Sequence, residues 1–165
     1  MFKSSLLIIF SVCVSFVFGQ SVKYDLRMSR PQSHYFEVEM EVSDLKGSNF
    51  DVKMPIWAPG SYLVREFAKN VNLVRAFDEN GKELEVVKKS KNRWNVTKGS
   101  AKKVSIKYEV YAFELSVRTS FVDLTHAFIS GTSVFMYLEE CENLKGTLEI
   151  FPYKDFKIIS TALPV

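Results

Sequence analysis

Histidine, cysteine, glycine and long apolar runs are all scarce in this 165-residue chain. The two histidines are His34, followed by Tyr35, Phe36 and Glu37, and His126, followed by Ala127, Phe128 and Ile129. A helix-borne zinc pair needs two histidines one turn apart with a glutamate beside the first as base. Neither histidine meets that pattern, and the two read as unrelated surface or loop residues. Of the two cysteines, Cys13 lies in the leader described below, which leaves Cys141 alone and excludes an internal disulfide in the mature chain. Cohesion then has to come from a hydrophobic core. Cys141 stands between Glu140 and Glu142, with no cation to favour its thiolate, so it is not a nucleophile candidate. Glu139, Glu140 and Glu142 lack the spaced ligands and glycine turn of a calcium loop and read as a solvated edge.

Other motifs of reactive chemistry are missing too. Pro59-Gly60-Ser61-Tyr62 is not a nucleophile elbow, and Gly131-Thr132-Ser133 lacks the lysine of a phosphate loop. No catalytic residue, metal ligand or cofactor is therefore expected within this chain. Charge of one sign is also lacking. Twenty-two lysines and arginines face nineteen acidic residues, and one of the lysines, Lys3, belongs to the leader. That near balance gives no footprint for nucleic acid. The clusters Lys88, Lys89, Lys91 and Lys98, Lys102, Lys103 read as solvated loops. The one long apolar run, Leu6 to Phe18, is shorter than the roughly 20 residues a membrane span takes. With Lys3 ahead of it and Gly19 behind, it predicts a secretory signal cleaved after Gly19. Residues 1–19 are then a leader, and 20–165 a single exported domain, periplasmic or secreted, with no stable membrane span.

What the chain does have is short alternating strands. Val22, Tyr24, Leu26 and Met28 alternate with Lys23, Asp25 and Arg27, and Phe36, Val38, Met40 and Val42 alternate with Glu37, Glu39 and Glu41. Phe50, Val52 and Met54 follow a turn over Asp44 to Ser48, which suggests a long strand pair over a core. Leu63 to Asn70 suggests a short helical turn with Ser61 as its cap. Asn80-Gly81 predicts a type I′ hairpin after Val71 to Phe77. Leu84, Val86 and Arg93 to Val96 continue the meander, and Asn95-Val96-Thr97 matches a glycosylation sequon. Val104, Ile106, Tyr108 and Val110 form another strand. Its alternation runs on to Val117 with a phase slip near Val110-Tyr111 that predicts a bulge or a sharp bend. Val134 to Leu138, Leu144 to Phe151 and Phe156 to Ser160 complete the set. Strands with one wet face are usually antiparallel. The fold class is thus all-β: an antiparallel β-sandwich or curved sheet.

One stretch breaks the alternation: Met54-Pro-Ile-Trp-Ala-Pro-Gly-Ser-Tyr-Leu-Val-Arg-Glu-Phe67. Pro55 stops the preceding strand and Pro59-Gly60 sets a tight turn. Trp57 and Tyr62 flank the turn, and Arg65 and Glu66 follow it. Either Trp57 plugs one end of the core beside a solvated ion pair, or the loop lines a cleft or domain interface. The run resembles the Trp-x-Pro-Gly-Ser-Tyr-Leu-x-Arg-Glu motif of the N-terminal domain of the glycyl aminopeptidase family. Tyr108 to Thr119 is similar to a second motif of that family. Ser130-Gly-Thr-Ser-Val-Phe135 is similar to a third, with Ser130 where the family has asparagine. The likeness covers roughly Val22 to the end of the chain.

The resemblance implies a saddle-like β domain ahead of a zinc-bearing catalytic domain, often with a PDZ domain further on. Such a parent removes N-terminal glycine or other small residues. The β domain's partners would be that catalytic domain and, in the parent, the peptide substrate. Trp57, Pro59, Gly60, Ser61, Tyr62, Arg65, Glu66, Arg118, Thr119, Gly131, Thr132 and Ser133 are the expected interface or cleft-lining residues. Arg118 is either a strand-end arginine in water or a fork for a carboxylate. The alternative for the whole chain is a free-standing secreted β-sandwich that binds a ligand and has no peptidase partner.

Overall fold

The computed structural model of the chain describes residues 21–139 and 146–164. The leader with Cys13, and Glu140, Cys141, Glu142 and Leu144, lie outside the described residues. Among the described residues eleven strands form: β1 Ser21–Arg27, β2 Tyr35–Ser43, β3 Asn49–Lys53, β4 Val71–Asp78, β5 Glu83–Ser90, β6 Arg93–Thr97, β7 Lys103–Tyr111, β8 Phe121–Val122, β9 Ala127–Phe128, β10 Tyr137–Leu138 and β11 Gly146–Phe151. The helical elements given by the described residues are a four-residue α1, Gly131–Val134, and two 3₁₀ turns, Pro31–Ser33 and Phe67–Asn70. Among the described residues no helix is long and apolar enough to cross a membrane.

Nine strands make one sheet in the order β10-β3-β6-β5-β4-β7-β2-β1-β11, antiparallel except where β11 lies parallel to β1. The expected all-β class holds, in its curved-sheet form. The curl is made at β5. Glu83 and Leu84 pair with β4, whereas Glu85 to Ser90 pair with β6, so one strand turns the corner between two lobes. The apolar set of each strand then faces inward: Leu26 from β1, Phe36 and Met40 from β2, Val52 from β3, Val96 from β6 and Ile106 from β7 are all fully buried. Burying each such side chain stabilises by about 1.5–3 kcal/mol. The opposite face carries a lattice of charges, including Lys103 with Glu41 and Lys107 with Glu39.

The open side of the curl is crossed by the segment from α1 to β10, and two tyrosines hold it. Tyr24 donates its hydroxyl to the Met136 carbonyl at 2.6 Å. Tyr108 donates to the Val134 carbonyl and accepts from the Met136 N–H. Val134 and Met136 are thereby fully buried.

Several local expectations are corrected. β2 and β3 are not neighbours, because four other strands lie between them and β3 belongs to the opposite lobe. The turn at Asp78 to Gly81 is not type I′, since only Gly81 has positive φ there. It is a hairpin closed by Gly81 N–H to Asp78 O at 3.0 Å, with Gly81 as the left-handed residue after the turn. The bulge falls in β4 rather than at Val110: Asn72 faces Glu109 and Arg75 faces Lys107, and Leu73 takes φ 54°. The strand β7 stops at Tyr111, and Phe113, Leu115 and Val117 beyond it are exposed. The second 3₁₀ turn is preceded by Glu66, not Ser61, and has no side-chain cap. Val134 closes α1 instead of opening a strand, and residues 156–160 form none. Lys88, Lys89 and Lys103 lie in strands, not loops, and Lys98 is buried with its ammonium on the Ala101 carbonyl. Asn95 sits mid-strand in β6 and donates to Asp51 at 2.7 Å.

Burial pushes the Tyr24 hydroxyl up to about 12 and the Tyr108 hydroxyl further still. An unfolded tyrosine titrates near 10. The stability that these groups lend is therefore fully present below about pH 10 and is lost as pH rises toward the folded values. Urea midpoints should hold up to about pH 10 and fall above it. Tyr108→Phe, which orphans the Met136 N–H and Val134 carbonyl, should cost about 1–3 kcal/mol at neutral pH and lessen that alkaline fall.

Candidate functional site

The loop between β3 and the second 3₁₀ turn is closed at its base and tied within. Met54 N–H donates to the Asn92 carbonyl at 2.9 Å, and Asn92 returns its amide to the Met54 carbonyl at 2.8 Å. Arg65 N–H reaches the Ile56 carbonyl at 2.6 Å. Pro59 and Gly60 occupy the corners of a turn closed by Ser61 N–H to Ala58 O at 3.0 Å, with Gly60 at φ 78°. This is the type II pattern, which needs positive φ at its third residue. Ser61 is the hub. It is 5 % exposed, its carbonyl accepts the Trp57 indole N–H at 2.6 Å, and its hydroxyl accepts Arg65 Nε at 3.2 Å.

What this framework displays is apolar. Trp57 is 52 % exposed, Val64 71 % and Tyr62 fully, with Ile56 and Leu63 beside them. Trp57 does not plug the core. Arg65 and Glu66 are not paired with each other: Arg65 turns onto Ser61, and Glu66 takes Lys91 of the β5–β6 hairpin at 2.6 Å. That hydrogen bond holds the Glu66 carboxyl below the usual carboxylate range.

The other two motif stretches meet nearby. Thr119 is buried and donates to the Glu114 carbonyl at 2.7 Å. Ser133 is buried and paired with Ser120 at 2.7 Å, while Ser120 also accepts the Ser130 N–H. Thr119, Ser120 and Ser133 line a cleft of about 290 Å³ together with Lys69 and Asn70 of the second 3₁₀ turn. α1 packs against that turn, so the chain leaving the Trp57–Glu66 loop forms one wall. Gly131, at the other end of α1, lines a second and larger groove of about 820 Å³ between β9, β11 and residues 155–163. Thr132 is half-buried, with its hydroxyl 3.4 Å from Ser130 Oγ. Arg118 is exposed, its own N–H on Ser116 Oγ.

Sequence reasoning missed Lys69, Asn70, Glu114 and the Lys91–Asn92 latch as members of this region. Glu114 lay in plain view within the second motif, but its partners come from segments remote in sequence. The two histidines are also connected. His34 stacks on Phe113 at 3.7 Å, Phe113 on Phe121 at 5.2 Å and Phe121 on His126 at 5.0 Å. His34 Nδ1 is meanwhile engaged by the Val122 carbonyl at 2.8 Å. They bracket one aromatic stack and do not form a metal site. Among the described residues no three His, Cys, Asp or Glu side chains gather as metal ligands.

The model of the Peptidase M61 N-terminal domain matches residues 23–165. The chain belongs to the M61 peptidase N-terminal domain family. Among solved structures, this M61 N-terminal domain is similar to an aminopeptidase N family protein from Idiomarina loihiensis. The two are 31 % identical with a TM-score of 0.76, over 81 % of this chain and 22 % of that one. An M1 zinc metallopeptidase from Deinococcus radiodurans bound to a Tyr-Ser-Ala substrate matches at 12 % identity and a TM-score of 0.39, over 72 % of this chain and 29 % of that one. No curated protein matches. The M61 domain thus spans less than a third of the length of these two relatives.

Gly60 tests whether the loop is built as described. An added Cβ meets nothing within 4 Å, so only the left-handed backbone resists it. Gly60→Ala should cost about 1–2 kcal/mol. Gly146→Ala, at a position without positive φ, should change stability by no more than about 0.5 kcal/mol. Chemical denaturation of the two variants checks the contrast.

Proposed function

We propose that this chain is the non-catalytic N-terminal β domain of an exported zinc metallo-aminopeptidase, a glycyl aminopeptidase-like protein. It braces the catalytic domain and walls one side of the substrate cleft. The observation that carries the reading is the crown Ile56, Trp57, Tyr62, Leu63 and Val64. These are large apolar side chains held out to solvent on a loop whose backbone is already tied down. Exposed apolar groups on an ordered framework mark a surface that is covered in the working molecule. Because the loop is ordered in advance, docking costs little conformational entropy. Family membership and the partial span of the relatives support a catalytic neighbour as the cover.

Zinc bound in that neighbour would polarise the scissile carbonyl and activate a water. Among the described residues no group of side chains fits a zinc site, and this domain is assigned no part in that step. Their contribution is positional. Trp57, Tyr62 and Arg65 form the contact, Pro59, Gly60 and Ser61 hold its shape, and Glu66 anchors it to Lys91. Thr119 and Ser133 in the small cleft and Gly131 in the larger groove, with Arg118 and Thr132 close to them in sequence, complete the proposed interface. The leader-like start directs the protein out of the cytoplasm.

Alanine at Trp57 and at Tyr62 in the full-length protein tests this. Both side chains are exposed, so the β domain itself should keep its stability within about 0.5 kcal/mol. Hydrolysis of an N-terminal glycine peptide should fall about ten-fold or more in kcat/KM, as expected for loss of an interface anchor. Unchanged hydrolysis would reject the bracing role. A full-length sequence with no catalytic segment would leave the free-standing binding module.

A further inference from the structure

The cleft of about 290 Å³ beside the loop has a composition that packing alone does not explain. Lys69 and Asn70, Glu114, Thr119 and the Ser120–Ser133 pair line it together with the half-exposed Tyr111 and Phe113. A basic and an acidic residue thus line one space from segments remote in sequence. Among the described residues neither charged group has an ion-pair partner, whereas neighbouring Glu66 is already taken by Lys91. The Asn70 side-chain amide is likewise unengaged among the described residues.

These groups are carried on ordered backbone. Lys69 N–H donates to the Glu66 carbonyl at 3.1 Å within the 3₁₀ turn, and the Val71 N–H closes that turn on Ala68. The Thr119 hydroxyl fixes the Glu114 backbone and keeps its lone pairs for a further donor. Phe113 is held by His34 on one side and Phe121 on the other. The volume is just under the lower bound of drug-sized pockets and suits a ligand the size of one residue. Opposite charges, a free amide and aromatic walls in that space match a molecule with an ammonium, a carboxylate and a short apolar side chain.

We propose that this cleft binds a free α-amino acid as its zwitterion, with Glu114 and Thr119 taking the ammonium group and Lys69 and Asn70 the carboxylate. Charge-assisted hydrogen bonds at both ends make recognition depend on both charges. Tyr111 and Phe113 favour an apolar side chain over a charged one. The inference goes beyond the domain reading, because every group it uses belongs to this chain. It stands or falls whether or not a catalytic neighbour docks.

The test is titration of the purified chain with L-leucine, N-acetyl-L-leucine and L-leucinamide, followed by amide chemical shifts. L-leucine should saturate with Kd of about 1 mM or below, an affinity well within reach of a ligand of this size. Each derivative lacks one charge and should bind about ten-fold more weakly or worse. Glu114→Gln should weaken L-leucine about ten-fold and abolish discrimination against the N-acetyl derivative. Lys69→Met should do the same for the amide. Both side chains are exposed and unpaired, so both variants should fold. Glu79→Gln, at the distant β4–β5 hairpin, should leave the affinity unchanged. Absence of saturable L-leucine binding, equal binding of all three ligands, or indifference to Glu114→Gln and Lys69→Met would each overturn the proposal.

Discussion

A single sheet cannot bury its own apolar face unless it bends and something closes the open side. Both conditions are met here by specific residues. The bend comes from β5, whose first two residues pair with one lobe and whose remainder pairs with the other. Closure comes from the α1–β10 segment, whose carbonyls at Val134 and Met136 are taken by the hydroxyls of Tyr108 and Tyr24. Without those two hydrogen-bonded anchors the segment would carry buried backbone groups with no partner, at a cost of about 1–3 kcal/mol each. The interior is thus filled by the chain's own side chains, and functional surface is left to the rim.

At the rim, the Trp57–Glu66 loop inverts the rule that governs the sheet. Its polar groups turn inward onto Ser61, and its apolar side chains turn outward. A loop folded for its own stability would bury Trp57 and expose Ser61. The observed arrangement costs hydrophobic stabilisation in isolation, a cost that the proposed docking of an apolar partner surface would offset. The same α1 that helps close the sheet separates the small polar cleft from the larger groove by residues 155–163. Core closure and rim geometry are therefore coupled through one short element.

The sequence revealed the strands whose environment is simplest. β2 and β7 each have one buried apolar face and one polar face, and β1 departs from this only at the partly buried Tyr24, so their alternation is plain. Pro59-Gly60 was legible as a turn because its geometry is local. Pairing order was not legible: nothing in β3 states that it joins β6 and β10 rather than β2, since any alternating strand offers the same edges. The bulge at Leu73 was hidden because the extra residue lies in β4, while the phase change seen in sequence lay near its partner β7. Phe113, Leu115 and Val117 misled as strand residues because an apolar side chain reads the same in sequence whether it faces a core or solvent. The cleft was visible only in part. Thr119 and Ser133 stood in motifs, whereas Lys69 and Asn70 join them through contact of α1 with the second 3₁₀ turn.

The account holds that this chain supplies shape and contact while the bond-breaking chemistry belongs to a neighbour. The direct measurement is release of N-terminal glycine from a short peptide by the purified chain with zinc supplied in the buffer. The account predicts no release above the background of peptide and zinc alone. Zinc-dependent release that scales with the amount of chain would contradict it.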